Sequence, residues 1–511
     1  MVAAPRDRGS RGRRRIPWSL FLAGCLAGAA GLAVTFVLRI LGLGVFLPEL
    51  AVEFAVGRIP AEIESIFIRT MGEGAKVAAL GTALAVFIAL PGLYAMFFPW
   101  VQARLRNRWL VMGAYALGSA SIALVVVIPL LGGGFFGVAT SEGAPAAVFS
   151  QLLGSWVYAS VLDFLLVEVA AQRPEGFSLS RRQFIAASIA LVSGAGLALI
   201  GFGSFVARPA RLAFASVADM VSKEVTPNGE FYIVTKNLID PTVDAGSWRL
   251  DVDGLVDRPG SYTYPDLVGR SLTDELVTLE CVSNEVGGNL VSTANWSGIP
   301  LGDLLAAAAP LGTADWVALA CADGYTVGVP LARATAPGAL LALRMNGDPL
   351  PSRHGFPARV IVPGLYGMFH AKWVTRMTLV QGEFLGFWQQ KGWTNRGAIR
   401  TTAIIATPAP DTVVRGPVTL GGVALAGDRG ISQVEVSTNG GSTWAPAILR
   451  PPLGGETWVL WTFPWTPTAS GSARILARAI DGLGVPQGAS SAPPFPNGAA
   501  GYDSIALLVS L

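Results

Sequence analysis

The sequence predicts a multi-domain protein in three parts: a five-helix transmembrane region, an α+β domain, and an immunoglobulin-like β-sandwich. Three observations predict it. The 511 residues are 52% hydrophobic and only 14% charged, where soluble chains are about 25% charged. That apolar excess is concentrated in the first two-fifths, in runs long enough to cross a bilayer. Beyond Arg208 the text turns to short alternating stretches punctuated by Pro and Gly, and from about Pro408 it becomes evenly spaced strands.

The chain opens on a basic segment, residues 1–15, containing "RDRGSRGRRR". Charged residues then bracket five apolar runs, at about 16–38, 77–99, 109–132, 147–171 and 184–206, each near the ~20 residues a spanning helix needs. The runs are rich in Gly and Ala, which let helices pack closely. The loops "QARLRNR" and "AQRPEGFSLSRR" carry Arg, whereas the intervening loops are mixed or acidic, with Glu49, Glu53, Glu62, Glu64 and Glu142. The excess of Arg on one side predicts a multi-pass cell-membrane protein with a cytoplasmic N-terminus. Five crossings then place everything after Arg208 on the extracytoplasmic side. Asp163 and Glu168 are the acids of the fourth run. They read either as a proton or quinone path or as side chains reaching the interface.

Residues 209–400 read as the α+β domain, with stretches such as "WRLDVDGLVDRPGSYTY" and "HGFPARVIVPGLYG". Residues 401–511 read as the sandwich. "VTLGGVALAG", "ISQVEVSTNGGSTW", "TWVLWTFPWT" and "ARILARAIDG" are short strands separated by Gly, Asp and Asn turns. Either portion is long enough to bury its own core.

Composition removes several function classes. A net charge of +3 without a basic stripe argues against nucleic-acid binding. Three cysteines make no disulfide framework. The two histidines, His354 and His370, both lie outside the apolar runs, so no bis-His haem is expected within the helices. No CxxC pair, phosphate-binding loop or GxSxG elbow is present. Two clusters remain. In "TLECVSNEVGG", Cys281 stands beside Ser283, Asn284 and a Gly pair; it reads either as a packed core residue or as a metal-binding thiolate. In "HGFPARVIVPGLYGMFHAKW", His354, Arg359, His370 and Lys372 gather around a Pro-Gly turn. That cluster reads either as a solvated basic face or as a site for an anionic, phosphate-bearing ligand.

These segments carry a resemblance. "FYIVTKNLIDPTVDAGSWRLDVDGLVDRPGSYTYPDL", "TLECVSNEVGGNLVSTANWSGIPLGDLL", "MNGDPLPSRHGFPARVIVPGLYG" and "AKWVTRMTLV" resemble, in order and spacing, the molybdopterin-binding domain of the sulfite oxidase family, in its bacterial membrane-associated branch. "AGDRGISQVEVSTNGGSTW" and "TWVLWTFPWT" resemble that family's C-terminal dimerisation domain. The resemblance implies an oxidoreductase with a molybdenum–molybdopterin cofactor, in which Cys281 is the protein's thiolate ligand to the metal. It implies that His354, Arg359 and Lys372 hold the pterin and its phosphate, and that Tyr232, Asn237 and Asn284 line the same cavity.

Two departures bear on the substrate. Where the family carries Arg before the "HxKW" stretch this chain has Phe369, and where a catalytic Tyr is expected at the end of "WQQKGW" it has Trp393. Loss of a guanidinium and a phenol disfavours the sulfite dianion and points to an uncharged oxo-compound such as a sulfoxide. The alternatives are a true sulfite dehydrogenase and a non-catalytic scaffold that keeps the fold. "SRRQFI" at residues 180–185 resembles a twin-arginine export signal, the route a domain loaded with cofactor in the cytoplasm requires. The expected partners are a small oxo-donor or acceptor, an external electron carrier (a cytochrome or quinone-linked), the membrane, and a second copy of the chain.

Overall fold

The computed structural model describes residues 18–59, 74–105, 107–140, 142–168, 211–237 and 240–511. The fifth apolar run, the residues 180–185 and the basic N-terminal segment lie outside them. The described residues fall into two compact units, a helical one in the N-terminal part and a larger one from Arg211 to the C-terminus.

The first unit contains α1 (Trp18–Ile40), α2 (Leu47–Arg58), α3 (Gly74–Ala95), α4 (Phe98–Leu105), α5 (Arg108–Ile122) and α6 (Gly143–Asp163). Among the described residues four helices are long and apolar enough to cross a membrane: Leu20–Ile40, Ala78–Ala95, Arg108–Leu130 and Gly143–Leu166. The second apolar run is continuous to about residue 99 in sequence, yet α3 stops at Ala95. Pro99 has no N–H to donate to the Ala95 carbonyl, and it takes the second position of α4 instead, where no such donor is needed. Small residues bring the helices together. A Cβ on Gly31 of α1 would stand 2.7 Å from the Gly154 carbonyl oxygen of α6, and one on Gly24 would stand 2.5 Å from Ala95 Cβ. Charges in this apolar unit are paired. Arg108 Nε meets the buried Asp163 carboxylate at 2.6 Å, and Arg39 binds both Glu49 at 2.8 Å and Glu142 at 3.4 Å. Asp163 of the fourth run thus has a guanidinium partner at the start of α5, as a carboxylate in an apolar bundle requires.

The second unit begins with α7 (Val217–Ser222) and builds two sheets of five strands. The first, ordered β2-β1-β10-β5-β6, is made by β1 (Arg249–Gly254), β2 (Gly260–Thr263), β5 (Trp316–Cys321), β6 (Thr326–Pro330) and β10 (Val374–Val380). The second runs β3-β4-β7-β8 with β9 on β7, from β3 (Thr273–Glu280), β4 (Val291–Pro300), β7 (Leu340–Met345), β8 (Asp348–Pro349) and β9 (Arg359–Ile361). Short helices α8 (Tyr264–Val268), α9 (Leu301–Ala307) and α10 (Leu331–Ala334) connect them. The β1–β10 pair is parallel and the other pairs in these sheets are antiparallel, an α+β arrangement.

After β10 the chain forms a β-sandwich from β11 (Thr402–Thr407) to β19 (Asp503–Val509). Between them come β12 (Val413–Val414), β13 (Val418–Leu425), β14 (Ile431–Ser437), β15 (Ala445–Pro446), β16 (Ile448–Leu449) and β17 (Val459–Trp465), and β18 (Gly471–Asp481) precedes β19. The sheets are ordered β11-β13-β17-β16 and β12-β19-β18-β14-β15, closing on Leu420, Trp461, Ile475 and Leu507. The strand β18 (Gly471–Asp481) alternates buried and half-exposed residues along its second half, as a strand with one face on a core must. The sandwich grips the α+β part. Trp458, fully buried, donates its backbone N–H to Thr278 Oγ1 of β3 at 2.8 Å and its indole N–H to the Glu224 carbonyl at 3.0 Å. Arg211 donates to both Asp503 oxygens, at 2.8 and 2.6 Å, and Asp503 also accepts from Ile405 N–H at 2.8 Å.

Asp503→Ala leaves a half-buried guanidinium and a buried N–H without their acceptor. It is expected to destabilise the second unit by about 3 kcal/mol, read as a lower denaturant midpoint for the detergent-solubilised chain.

Candidate functional site

The chain after β3 makes the first wall. Eight residues of β3 pair antiparallel with β4, from Thr273 opposite Gly298 to Glu280 opposite Val291, and Cys281 follows at once. Its N–H donates to the Leu290 carbonyl at 2.9 Å, and its own carbonyl accepts from Asn284 N–H at 2.9 Å. Asn284 locks the turn with its side chain: Oδ1 accepts from Leu290 N–H at 3.0 Å, and Nδ2 donates to buried Glu280 Oε1 at 3.0 Å. A Cβ at Gly288 would collide with Asn284 Oδ1, which explains the glycine of this motif. The Cys281 sulfur lies 3.0 Å from Ser283 Oγ. Burial raises the thiol's pKa, and hydrogen bonds from Ser283 oppose that rise.

The second wall is cationic. His354 ends a 3-10 turn (Ser352–His354) and Arg359 opens β9. Gly355 (φ +115) lies between them, and a Cβ there would stand 3.0 Å from Lys372 Cβ. Lys372 Nζ donates to the Arg353 carbonyl at 3.2 Å and lies 4.5 Å from the Trp373 ring centroid. Trp373 holds φ +52, a strained conformation for a bulky residue. It is fixed by its indole N–H on the Ser352 carbonyl at 2.8 Å and by its own carbonyl, which accepts from Ala322 N–H at 2.9 Å. Both histidines are buried and neutral. His370 accepts from Val362 N–H at Nδ1 and donates from Nε2 to the Leu365 carbonyl; burial first, then Arg359, lowers its pKa to about 3. Burial likewise lowers His354 to about 4, against its hydrogen bond to the Asn228 carbonyl.

Between the walls lies a cleft of about 900 Å³, counted to its open mouth. It is lined by Tyr232, Cys281, Ser283, His354, Arg359, His370, Lys372 and Trp393, among others. The nine expected residues fall into three kinds. Cys281, Tyr232, His354, Arg359, Lys372 and Trp393 meet in one cavity, with Trp393 packed edge-on against Phe495. Phe369 does not line it: its ring is fully buried in the core against Gly397. Asn284 and Asn237 stand behind the wall, Asn284 in the turn and Asn237 bridging Lys236 and Asp323 through its amide, at 3.0 and 2.9 Å.

Lining residues that were not evident in sequence include Lys236, Asp323, Tyr325, Met368 and Trp388. The signal available was the Asp-Gly turn of "CADGY" between two short strands. Asp323 and Tyr325 flank that turn, and Tyr325 O–H donates to the Met368 carbonyl at 2.7 Å. Burial pushes the Tyr325 phenol well above its usual pKa.

The residues fit a phosphate-bearing metal cofactor. Arg359 is fully enclosed, and burial lowers its pKa to about 10. Its Nη1 reaches only the His354 carbonyl, at 3.3 Å, its Nε has no hydrogen-bond partner, and one face covers the Trp296 ring at 5.1 Å. A buried cation in that state calls for an anion. Among the described residues no group of three His, Cys, Asp or Glu side chains is placed to hold a metal. Cys281 is the one thiol lining the cavity, so a metal there would take its remaining ligands from the cofactor.

Comparison with known proteins agrees with this chemistry. A family model described as oxidoreductase molybdopterin binding domain matches residues 237–388, and one described as bacterial Ig domain matches 402–477. The mitochondrial sulfite oxidase of Homo sapiens is 33% identical over 311 residues, 50% of this chain and 56% of its own length. The sulfite oxidase of Gallus gallus is 30% identical over 313 residues, 51% of this chain and 68% of that protein. The chain thus spans 56% of the length of the mitochondrial relative. The crystal structure of the sulfane dehydrogenase SoxCD from Paracoccus pantotrophus shares the fold, with TM-score 0.50 at 22% identity over 56% of this chain and 84% of that one.

The two histidines make the stability of the cofactor-free cavity depend on pH. Unfolded histidine takes up a proton below about pH 6.5, whereas the folded residues resist until about pH 4 and 3. Between those limits the unfolded chain binds more protons, so stability falls as pH falls, by up to about 2.7 kcal/mol per pH unit for two groups. His370→Gln should remove roughly half of that histidine-dependent slope, measured as denaturant unfolding of wild type and variant from pH 7 to pH 4.

Proposed function

The chain belongs to the sulfite oxidase family of molybdopterin-dependent oxidoreductases, and from that premise we propose that it catalyses oxygen-atom transfer on a small oxo-compound at the Cys281 cavity. The observation that carries this reading is the pairing of one cavity-lining thiol with an enclosed, uncompensated guanidinium at Arg359. When bound, the molybdenum cofactor supplies the two-electron redox chemistry by which an oxygen atom is gained or given up. The protein's part is to bind and orient. Cys281 contributes the thiolate ligand. Arg359 and Lys372 hold the pterin's phosphate, and His354, whose neutral ring spends its one N–H on the Asn228 carbonyl, meets the cofactor with Nδ1 as an acceptor. Tyr232 closes the same wall.

Lys236, Asp323, Tyr325, Met368, Trp388 and Trp393 are left to receive the substrate. Tyr325 keeps its proton across the physiological range and donates it to the Met368 carbonyl, so its hydroxyl oxygen faces the cavity as an acceptor. Lys236 and Asp323 share the Asn237 amide, so this end carries one charge of each sign amid apolar walls. Balanced charge supports an uncharged oxo-compound such as a sulfoxide. A second reading, sulfite oxidation, is favoured by Tyr325 and Lys236, which put a phenol and a cation in the cavity although positions 369 and 393 carry neither.

The four apolar helices support anchoring in a membrane. We place the N-terminus in the cytoplasm and the catalytic domain outside. A separate carrier, a cytochrome or quinone-linked, would then exchange electrons with the cofactor, and the sandwich offers the means of pairing two chains.

Two measurements test the proposal. The full chain, expressed with cofactor supply, should contain molybdenum and pterin, and Cys281→Ser should lose the sulfur-to-metal charge-transfer absorption while keeping the wild-type circular dichroism; a metal-free wild type removes the reading. In steady-state assays with artificial electron carriers, Lys236→Met should change kcat/KM for a sulfoxide by less than about threefold. Loss of a charge-assisted hydrogen bond to a dianion would instead cost about tenfold or more, so that result with sulfite selects the second reading.

A further inference from the structure

The Cys281 turn holds a hydroxyl that the roles above leave unused. Ser283 Oγ lies 3.0 Å from Cys281 Sγ, and both residues line the cavity. The turn that sets this distance is rigid, closed by the Asn284 N–H on the Cys281 carbonyl and by the Asn284 side chain on Leu290 and Glu280. A sulfur bound to a metal as thiolate carries no proton and can only accept, so the hydrogen between the two atoms belongs to Ser283.

We infer that Ser283 is a positioning residue for the metal-bound sulfur, donating its O–H to Cys281 Sγ and thereby drawing electron density off the thiolate. The inference rests on the reading of Cys281 as the molybdenum ligand. A thiolate that accepts a hydrogen bond donates less charge to its metal, so the oxidised metal is less stabilised and the reduction potential is higher. The same bond lowers the energy of the sulfur lone pair, which moves sulfur-to-metal charge transfer to shorter wavelength. Neither effect requires Ser283 to touch the substrate.

The test compares wild type, Ser283→Ala and Ser283→Thr in the full-length holoprotein. Molybdenum content, the visible absorption of the oxidised centre and its midpoint potential in a redox titration are measured for each. Ser283→Ala should retain its metal, show a charge-transfer band at longer wavelength and titrate at lower potential. Ser283→Thr, which keeps the hydroxyl, should return both towards wild type. If the alanine variant folds poorly, Ser283→Gly removes the hydroxyl without adding bulk and provides the same comparison. An unchanged band and potential in a metal-replete, hydroxyl-free variant overturns the inference and leaves the cofactor reading standing. A Cys281→Ser holoprotein whose visible band and midpoint potential match wild type overturns that underlying reading, and this inference with it.

Discussion

The placement of one sulfur atom governs the cavity, and that placement is set by what pins β3. A cofactor held through a single protein thiolate takes its position from that thiolate, and displacements near 1 Å are enough to spoil such a site. Two surfaces hold the strand. On one side β4 pairs with it over eight residues and leaves Cys281 as the first residue beyond the ladder. On the other, the sandwich reaches across: Thr278 N–H donates to the Glu456 carbonyl at 3.0 Å, and Thr278 Oγ1 accepts from Trp458 N–H at 2.8 Å. The sandwich is therefore part of what aims the cysteine, whatever else it does. Arg211 and Gly287 extend the same connection, since the chain entering this unit pairs with the far end of the Cys281 turn through Leu212 N–H on the Gly287 carbonyl.

The cationic wall follows a complementary logic. His354 and His370 are kept neutral by burial and by the nearby guanidinium of Arg359, against hydrogen bonds to backbone carbonyls that favour the charged ring, which leaves Arg359 and Lys372 as its charges. Lys372 has the Arg353 carbonyl and the Trp373 ring, whereas Arg359 is enclosed with an unpartnered Nε. Strain lies beside them: Trp373 at φ +52 and Gly355 at φ +115 are in contact through the loop that brings Lys372 to the cavity. A non-glycine residue in the left-handed region costs about 1–3 kcal/mol. Here the hydrogen bonds from Trp373 to Ser352 and Gly355 offset it, so the lysine's position is imposed by its surroundings and is not left to side-chain chance.

Much of this was legible in the sequence. The apolar runs announced the helices, because spanning length and charge flanks are properties of a segment taken alone. "TLEC" followed by Ser, Asn and Gly announced a strand that ends in a polar turn. Position 369 shows the limit. Spacing in "MFHAKW" identified the residue that replaces an arginine, but it could not say that the Phe369 ring would leave the cavity for the core beside Gly397, a glycine 28 residues away. Asp323 and Tyr325 escaped notice for the converse reason: they reach the cavity only because β5 and β6 are edge-paired strands whose Asp-Gly turn folds back over Met368. Tertiary return of that kind leaves little periodic trace. The helix boundary at Ala95 was obscured because hydropathy continues through Pro99, while hydrogen bonding does not.

Charge is unevenly distributed along the cavity. Arg359 sits in full enclosure, where an anion is needed to balance it, and Lys372 stands beside it. Lys236 sits apart, tied through the Asn237 amide to Asp323, whose second oxygen accepts from Tyr325 N–H at 3.0 Å. A dianion entering that end would exchange its water for one ammonium and also meet a carboxylate fixed in place by two donors. A neutral oxo-compound would give up far less hydration and would still find the Tyr325 hydroxyl and the aromatic faces of Trp388 and Trp393. Desolvation grows steeply with charge whereas a single hydrogen bond does not, so on the proposed reading discrimination between the two kinds of substrate would fall to Lys236 and Asp323, with Phe369 contributing only through the packing behind the wall.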